Sequence, residues 1–147
     1  NSKWITIGSD NYENNHKHAY NDNQKIADLM NTSSFSLEVI DSDWASINLY
    51  TNSTIHDTVV IGRSEDFVEY SPKGKREYWE NLLSKGKTWD ELLSIWNKNE
   101  IFVEDTLNET ASILGIDPKY IFYDFKDFEI NGENDSNIIR LFFSRKS

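Results

Sequence analysis

The run Thr88-Trp89-Asp90-Glu91 constrains this chain more than any other. A Thr followed three residues later by Glu is a capping box, in which each side chain satisfies a free backbone N–H at the start of a helix. Behind it, Trp89, Leu92, Leu93 and Trp96 recur at i, i+3, i+4 and i+7, which is one face of a 3.6-residue period. A second helix over the preceding stretch follows from the start signal Ser71-Pro72, the apolar stripe Tyr78, Trp79, Leu82 and Leu83, and the stop at Gly86. A third carries Val103, Leu107, Ala111 and Leu114 on one face and ends at Gly115.

Ahead of this helical block the pattern changes to period two. Phe35, Leu37 and Val39 alternate with Ser36, Glu38 and Ile40, and Ile47, Leu49 and Thr51 alternate with Ser46, Asn48 and Tyr50. Thr58 to Ile61 is β-branched and closes at Gly62. Asp41-Ser42-Asp43 and Thr51-Asn52-Ser53-Thr54 are the turns between them, so the spacing predicts an antiparallel meander. Phe67, Val68 and Tyr70 extend it as an edge strand, Trp4 to Ile7 reads as a short strand, and Asn21 to Met30 as a short amphipathic helix. After Ile116-Asp117-Pro118, two aromatic-rich runs between Tyr120 and Arg145 flank the polar loop Asn131 to Ser136, a closing β-hairpin. The expected fold class is α+β, an antiparallel sheet with helices packed on one face and a C-terminal β-hairpin. The 147 residues suit one globular domain spanning 1–147.

Charge narrows the function classes. The net charge is −10, on a chain with five Trp and eight Phe, too aromatic for disorder. Such a surface repels nucleic acid and anionic membrane and steers toward basic proteins. No apolar run is long enough for a transmembrane helix. No Cys is present, which favours a reducing, cytoplasmic setting, although the chain opens at Asn1 rather than Met, which points to trimming upstream. Sequons at Asn31, Asn52, Asn108 and Asn134 follow from an Asn-rich composition.

Catalytic constellations are weak. His16 and His18 form an H-x-H pair in loop-like sequence, and His56 precedes Asp57. Neighbours on a strand point to opposite faces, so His56 and Asp57 do not form a base with its orienter. A small metal-dependent or hydrolytic enzyme using His16, His18 or His56 is therefore the alternative, and the expectation is a non-enzyme with no metal or other cofactor. Asp127-x-Glu129-x-Asn131-Gly132 opens like a calcium loop, but Asn134 and Ile138 stand where an apolar residue and a bidentate acid are required. Glu109 to Ile121, with Ala111, Gly115, Ile116 and Ile121, resembles the helix-turn-helix of phage-repressor-type DNA-binding domains. That resemblance implies a recognition helix from Pro118 to Phe128. Asp124 and Asp127 on it, opposed by only Lys119 and Lys126, disfavour a major groove, and a helix, Gly stop and strand explain the same residues.

The most distinctive surface is acidic and aromatic. Glu100 to Asp135 carries ten acids against two Lys. Aromatic anchors ringed by charge are what protein interfaces use for affinity and steering. Tyr123, Asp124, Asp127, Glu129, Glu104 and Asp105 are the candidate partner-binding residues. A small, acidic, Cys-free chain of this kind resembles, as a class, the bacterial immunity proteins of colicin and contact-dependent growth inhibition systems. The resemblance implies one-to-one inhibition of a cognate, basic, nuclease-type toxin. An adaptor-type binding domain is the alternative among binding proteins.

Overall fold

The computed structural model describes residue 4 and residues 25–40, 42–51, 54–62, 74–98 and 100–121. The meander is present as three antiparallel strands, β1 (Ser34–Ile40), β2 (Trp44–Thr51) and β3 (Thr54–Gly62), in the order β1-β2-β3. Across the sheet, Phe35 pairs with Leu49 and Leu49 with Asp57, Leu37 with Ile47 and Ile47 with Val59, Val39 with Ala45 and Ala45 with Ile61. Side chains alternate along a strand, so these three rows share one face. Ala45, Ile47, Leu49, Val59 and Ile61 on that face are buried in the same core as the helices. The central strand is also buried at Asn48 and Tyr50 of the opposite face. There Thr58 Oγ1 donates to Asn48 Oδ1 at 2.7 Å, and the Tyr50 and Ser36 hydroxyls lie 3.4 Å apart. Burial pushes the Tyr50 phenol above its usual pKa, against a smaller lowering by the Ser36 hydrogen bond.

Among the described residues, five α-helical pieces accompany the sheet. Residues 25–30 form α1, which ends at Asn31 with φ 46. The amides of Asn31 and Thr32 return to the carbonyls of Asp28 and Ala27, so the orphan carbonyls of the last turn are used. Next come α2 (Arg76–Trp79), continued by a 3-10 turn over Glu80–Leu82, then α3 (Trp89–Trp96), α4 (Val103–Leu114) and α5 (Pro118–Ile121). The third of these carries the full capping box and buries Trp89, Leu92, Ile95 and Trp96. The fourth buries Val103, Leu107, Ala111 and Leu114 and ends at Gly115 in the left-handed conformation, as the spacing required.

Indole rings join the layers. Trp96 meets Trp79 and Trp89 edge-to-face, with centroids 5.1 and 5.9 Å away. Two buried indole N–H groups find partners across elements: Trp79 Nε1 donates to Asp57 Oδ2 at 2.7 Å, and Trp96 Nε1 to Thr110 Oγ1 at 3.1 Å. Trp4 stacks edge-on to Phe35 of β1 and donates from Nε1 to Leu114 O at the end of α4.

Four boundaries depart from expectation. The third strand begins at Thr54, not Thr58, because the polar pair His56-Asp57 is carried inside it, with a bulge opposite Leu49 and Tyr50. Helix α2 begins at Arg76 rather than at Ser71-Pro72. Asp57 Oδ2 accepts the Lys75 amide at 2.8 Å, so a carboxylate from β3 fixes where that helix starts. The stripe behind it winds as α2 plus a 3-10 turn and is over by Leu82, ahead of Gly86. Tyr120 and Ile121 close one helical turn instead of opening a strand. Asp117 Oδ1 accepts the Lys119 amide at 3.1 Å and Pro118 suits a first helical position, so local capping overrides the β preference of these side chains. At Trp4 the backbone is not in a strand. The remainder of that expected strand, the edge strand at Phe67 to Tyr70 and the rest of the closing hairpin lie outside the described residues.

Candidate functional site

The turn between β1 and β2 and the start of α4 are built as one unit. Ser42 adopts φ 58, a region few non-Gly residues enter. Its carbonyl accepts the Val103 amide at 3.0 Å, and its hydroxyl donates to Glu104 Oε1 at 2.6 Å. One residue therefore holds the first turn of α4 through backbone and side chain together. Gly62, at φ 98, lets the end of β3 reach the same turn: a Cβ there would stand 2.2 Å from the Asp43 carbonyl oxygen.

This support presents an apolar pair to solvent. Ile101 is 69% exposed and Phe102 57%. Acids flank the pair: Glu100 precedes it, Asp105 lies in the first turn of α4, and Asp43 is on the turn bonded to α4, the last two exposed. The nearest cation in the sequence, Lys98, is drawn away to Glu109, with Nζ 2.6 Å from Oε2. Phe102 is the N-cap residue of α4 and makes no side-chain cap. Chemically, this tip offers an aromatic anchor, a rim of negative charge and a backbone already fixed.

Of the expected partner-binding residues, Glu104 and Asp105 lie on this tip. Their roles diverge. Asp105 faces solvent, whereas Glu104 gives one oxygen to Ser42 and its other oxygen, Oε2, is buried with no hydrogen-bond partner among the described residues. Glu104 thus fastens the tip and is not itself presented. Acids in a first helical turn also complement the helix dipole, so their presence alone does not define a site. Tyr123, Asp124, Asp127 and Glu129 lie outside the described residues, as do His16 and His18. Ile101, Phe102 and Asp43 were not singled out from the sequence. Ile-Phe-Val reads there as a core run, and the clue was the Phe at a position where helices take Ser, Thr, Asp or Asn.

The described histidine, His56, packs against a ring and a strand carbonyl. His56 lies 4.9 Å from the Tyr78 ring, with Nε2 3.2 Å from Thr51 O. The carboxylate beside it, Asp57, is buried and engaged by Lys75 N and Trp79 Nε1. Among the described residues no three His, Cys, Asp or Glu side chains come together as a metal site, and no helix is long and apolar enough to cross a membrane. A groove of about 630 Å³ between α3 and α4 is lined by Lys87, Asp90, Glu91, Lys98 and Glu109 among others. It is open, and four of its five charged side chains pair within it, Lys98 with Glu109 and Lys87 with Glu91. No protein-family model, curated protein or solved structure matches this chain.

Proposed function

We propose that this chain is a stoichiometric inhibitor of the immunity type, binding one basic, nuclease-type bacterial toxin per chain. The observation that supports it most is the tip, where exposed Ile101 and Phe102 sit among Glu100, Asp105 and Asp43 on a backbone held by Ser42. A net charge of −10 adds long-range attraction to a basic surface, which accelerates encounter. An apolar centre inside a charged rim then slows dissociation. Binding of this kind requires no cofactor and no turnover, and the acids of the Tyr123 to Glu129 stretch would extend the same field.

The reading is tested by retaining partners on the tagged chain at low and at high salt, with identification by mass spectrometry. One basic protein at a one-to-one ratio, weakened by salt and by Asp105→Lys, is the expected result. Its enzymatic activity should be silenced in the complex, which separates an inhibitor from an adaptor. Retention of an acidic protein, or a partner indifferent to salt, would end the proposal.

A further inference from the structure

We infer that Phe102 is the anchor of the partner interface, and that the partner of this tip is a basic protein whose apolar pocket, edged by Lys or Arg, receives the Phe102 ring. This rests on the inhibitor reading above and adds the point of contact. Three observations lead to it.

First, Phe102 occupies an N-cap without capping. Helix α3, whose N-cap lies fourteen residues upstream, starts with a complete Thr88–Glu91 box. Helix α4 starts with Phe102, at φ −115 and ψ 130, and no side-chain cap. A polar residue here would satisfy an orphan N–H and remove an aromatic ring from water. The chain keeps neither advantage, and local rules are most often broken at functional positions.

Second, the ring is exposed on a rigid mount. The Ser42 carbonyl and hydroxyl bind Val103 and Glu104, the two residues that follow Phe102. An aromatic presented in this way loses little freedom on binding, which is the property of anchor residues.

Third, the rim selects the occupant. Asp43, Glu100 and Asp105 oppose an anionic membrane, and they oppose a second copy of the same tip. They complement a pocket with Lys or Arg at its mouth. Among the described residues Val39 and Ile55 on the strands are also exposed, but the most exposed apolar pair outside the tip is Leu29 and Met30, which end α1. They lie toward the opposite end of the sheet, where Ser33 Oγ meets Thr51 Oγ1 at 3.2 Å, and provide an internal control.

The experiment places a benzophenone amino acid at position 102, and in a second variant at position 29, in the full chain. Each is irradiated in extract of cells that naturally make it, and the adducts are sequenced. The expected result is one basic protein joined to position 102 through a segment carrying Lys or Arg, and no such adduct from position 29. With that protein purified, Phe102→Ser should weaken binding by about tenfold or more, mainly through faster dissociation. Asp105→Lys should act mainly on association and lose its effect at high salt. If wild type retains a basic partner that crosslinks from position 29 alone, or binds Phe102→Ser undiminished, the anchor assignment is wrong while the inhibitor reading stands. A lipid or acidic protein on position 102 also overturns it. If wild type retains no protein at low salt, both fall together.

Discussion

Helices α3 and α4, whose N-cap residues Thr88 and Phe102 lie fourteen residues apart, begin in opposite ways. At the first, every group is local. Glu91 N donates to Thr88 Oγ1 at 3.2 Å, and Thr88 N to Glu91 Oε2 at 2.8 Å. At the second, the cap residue is Phe102, and the binding groups come from Ser42, on a turn between two strands. The local start fixes a helix whatever surrounds it. The distant start fixes where the helix lies relative to the sheet, and leaves the cap position free to carry a ring. Helix α2 resembles the second, since the amide of its N-cap residue, Lys75, donates to Asp57 of β3.

If starts supplied from the sheet matter more than local ones, the largest effect belongs to Asp57→Ala. It strips the partner from two donors at once, one of them the buried Trp79 indole. The expected loss is about 2–4 kcal/mol of unfolding free energy, read by urea titration of Trp fluorescence. Ser42→Ala comes next, at about 1.5–3 kcal/mol, because the Glu104 carboxylate, already buried at Oε2, loses a charge-assisted hydrogen bond. Ser42→Gly separates the contributions, since it relaxes the φ 58 backbone while removing the same hydroxyl. A loss from Ser42→Ala below that of a cap substitution at Thr88 would break the comparison.

Thr88→Ala should cost about 1 kcal/mol, the usual worth of an N-cap side chain. The same box makes a prediction about pH. The Thr88 backbone N–H, and then its hydroxyl, hold the Glu91 carboxyl below its ordinary value of 4.5, with slight opposition from desolvation and slight help from Lys87. A carboxyl depressed on folding adds stability above its unfolded pKa, and that contribution fades as pH falls through the folded pKa. Wild type should therefore exceed Glu91→Ala in thermal midpoint at pH 7, and the gap should close as pH drops below the ordinary Glu range. A gap that widens in acid would contradict the box.

The same division between local and distant causes explains what the sequence discloses. Helices α3 and α4 were legible because their signals, Thr88 with Glu91 and Gly115 after a stripe, lie inside the elements. Strand β1 was legible from its alternation. The start of α2 was not, because it depends on Asp57, eighteen residues away from Lys75. For the same reason β3 was read short: an Asp on the core-facing side looks like a turn residue until its Trp79 partner is known. The turn at Pro118 shows a local signal outweighed in the reading by the aromatic run behind it. The candidate site was half visible. Charge density pointed to Glu104 and Asp105, but not to Glu104 turning inward. Ile101 and Phe102 escaped because apolar residues at a helix start resemble core until their exposure is seen.

The smallest and most discriminating effect is at Phe102 itself. Phe102→Ser supplies the oxygen that α4 lacks at its N-cap and removes a ring that is 57% exposed. The isolated chain should gain up to about 1 kcal/mol, because the helix acquires a cap while only the buried minority of the ring's surface is lost. Most substitutions destabilise, so a gain would mark Phe102 as a residue kept for something other than the fold. A loss of similar size would mean that the ring packs on the molecule more than its exposure implies, and α4 would then start as it does for stability alone. The outcome thus decides whether the contrast between the two helix starts reflects two ways of stabilising a helix, or one helix stabilised and the other partly given over to a surface.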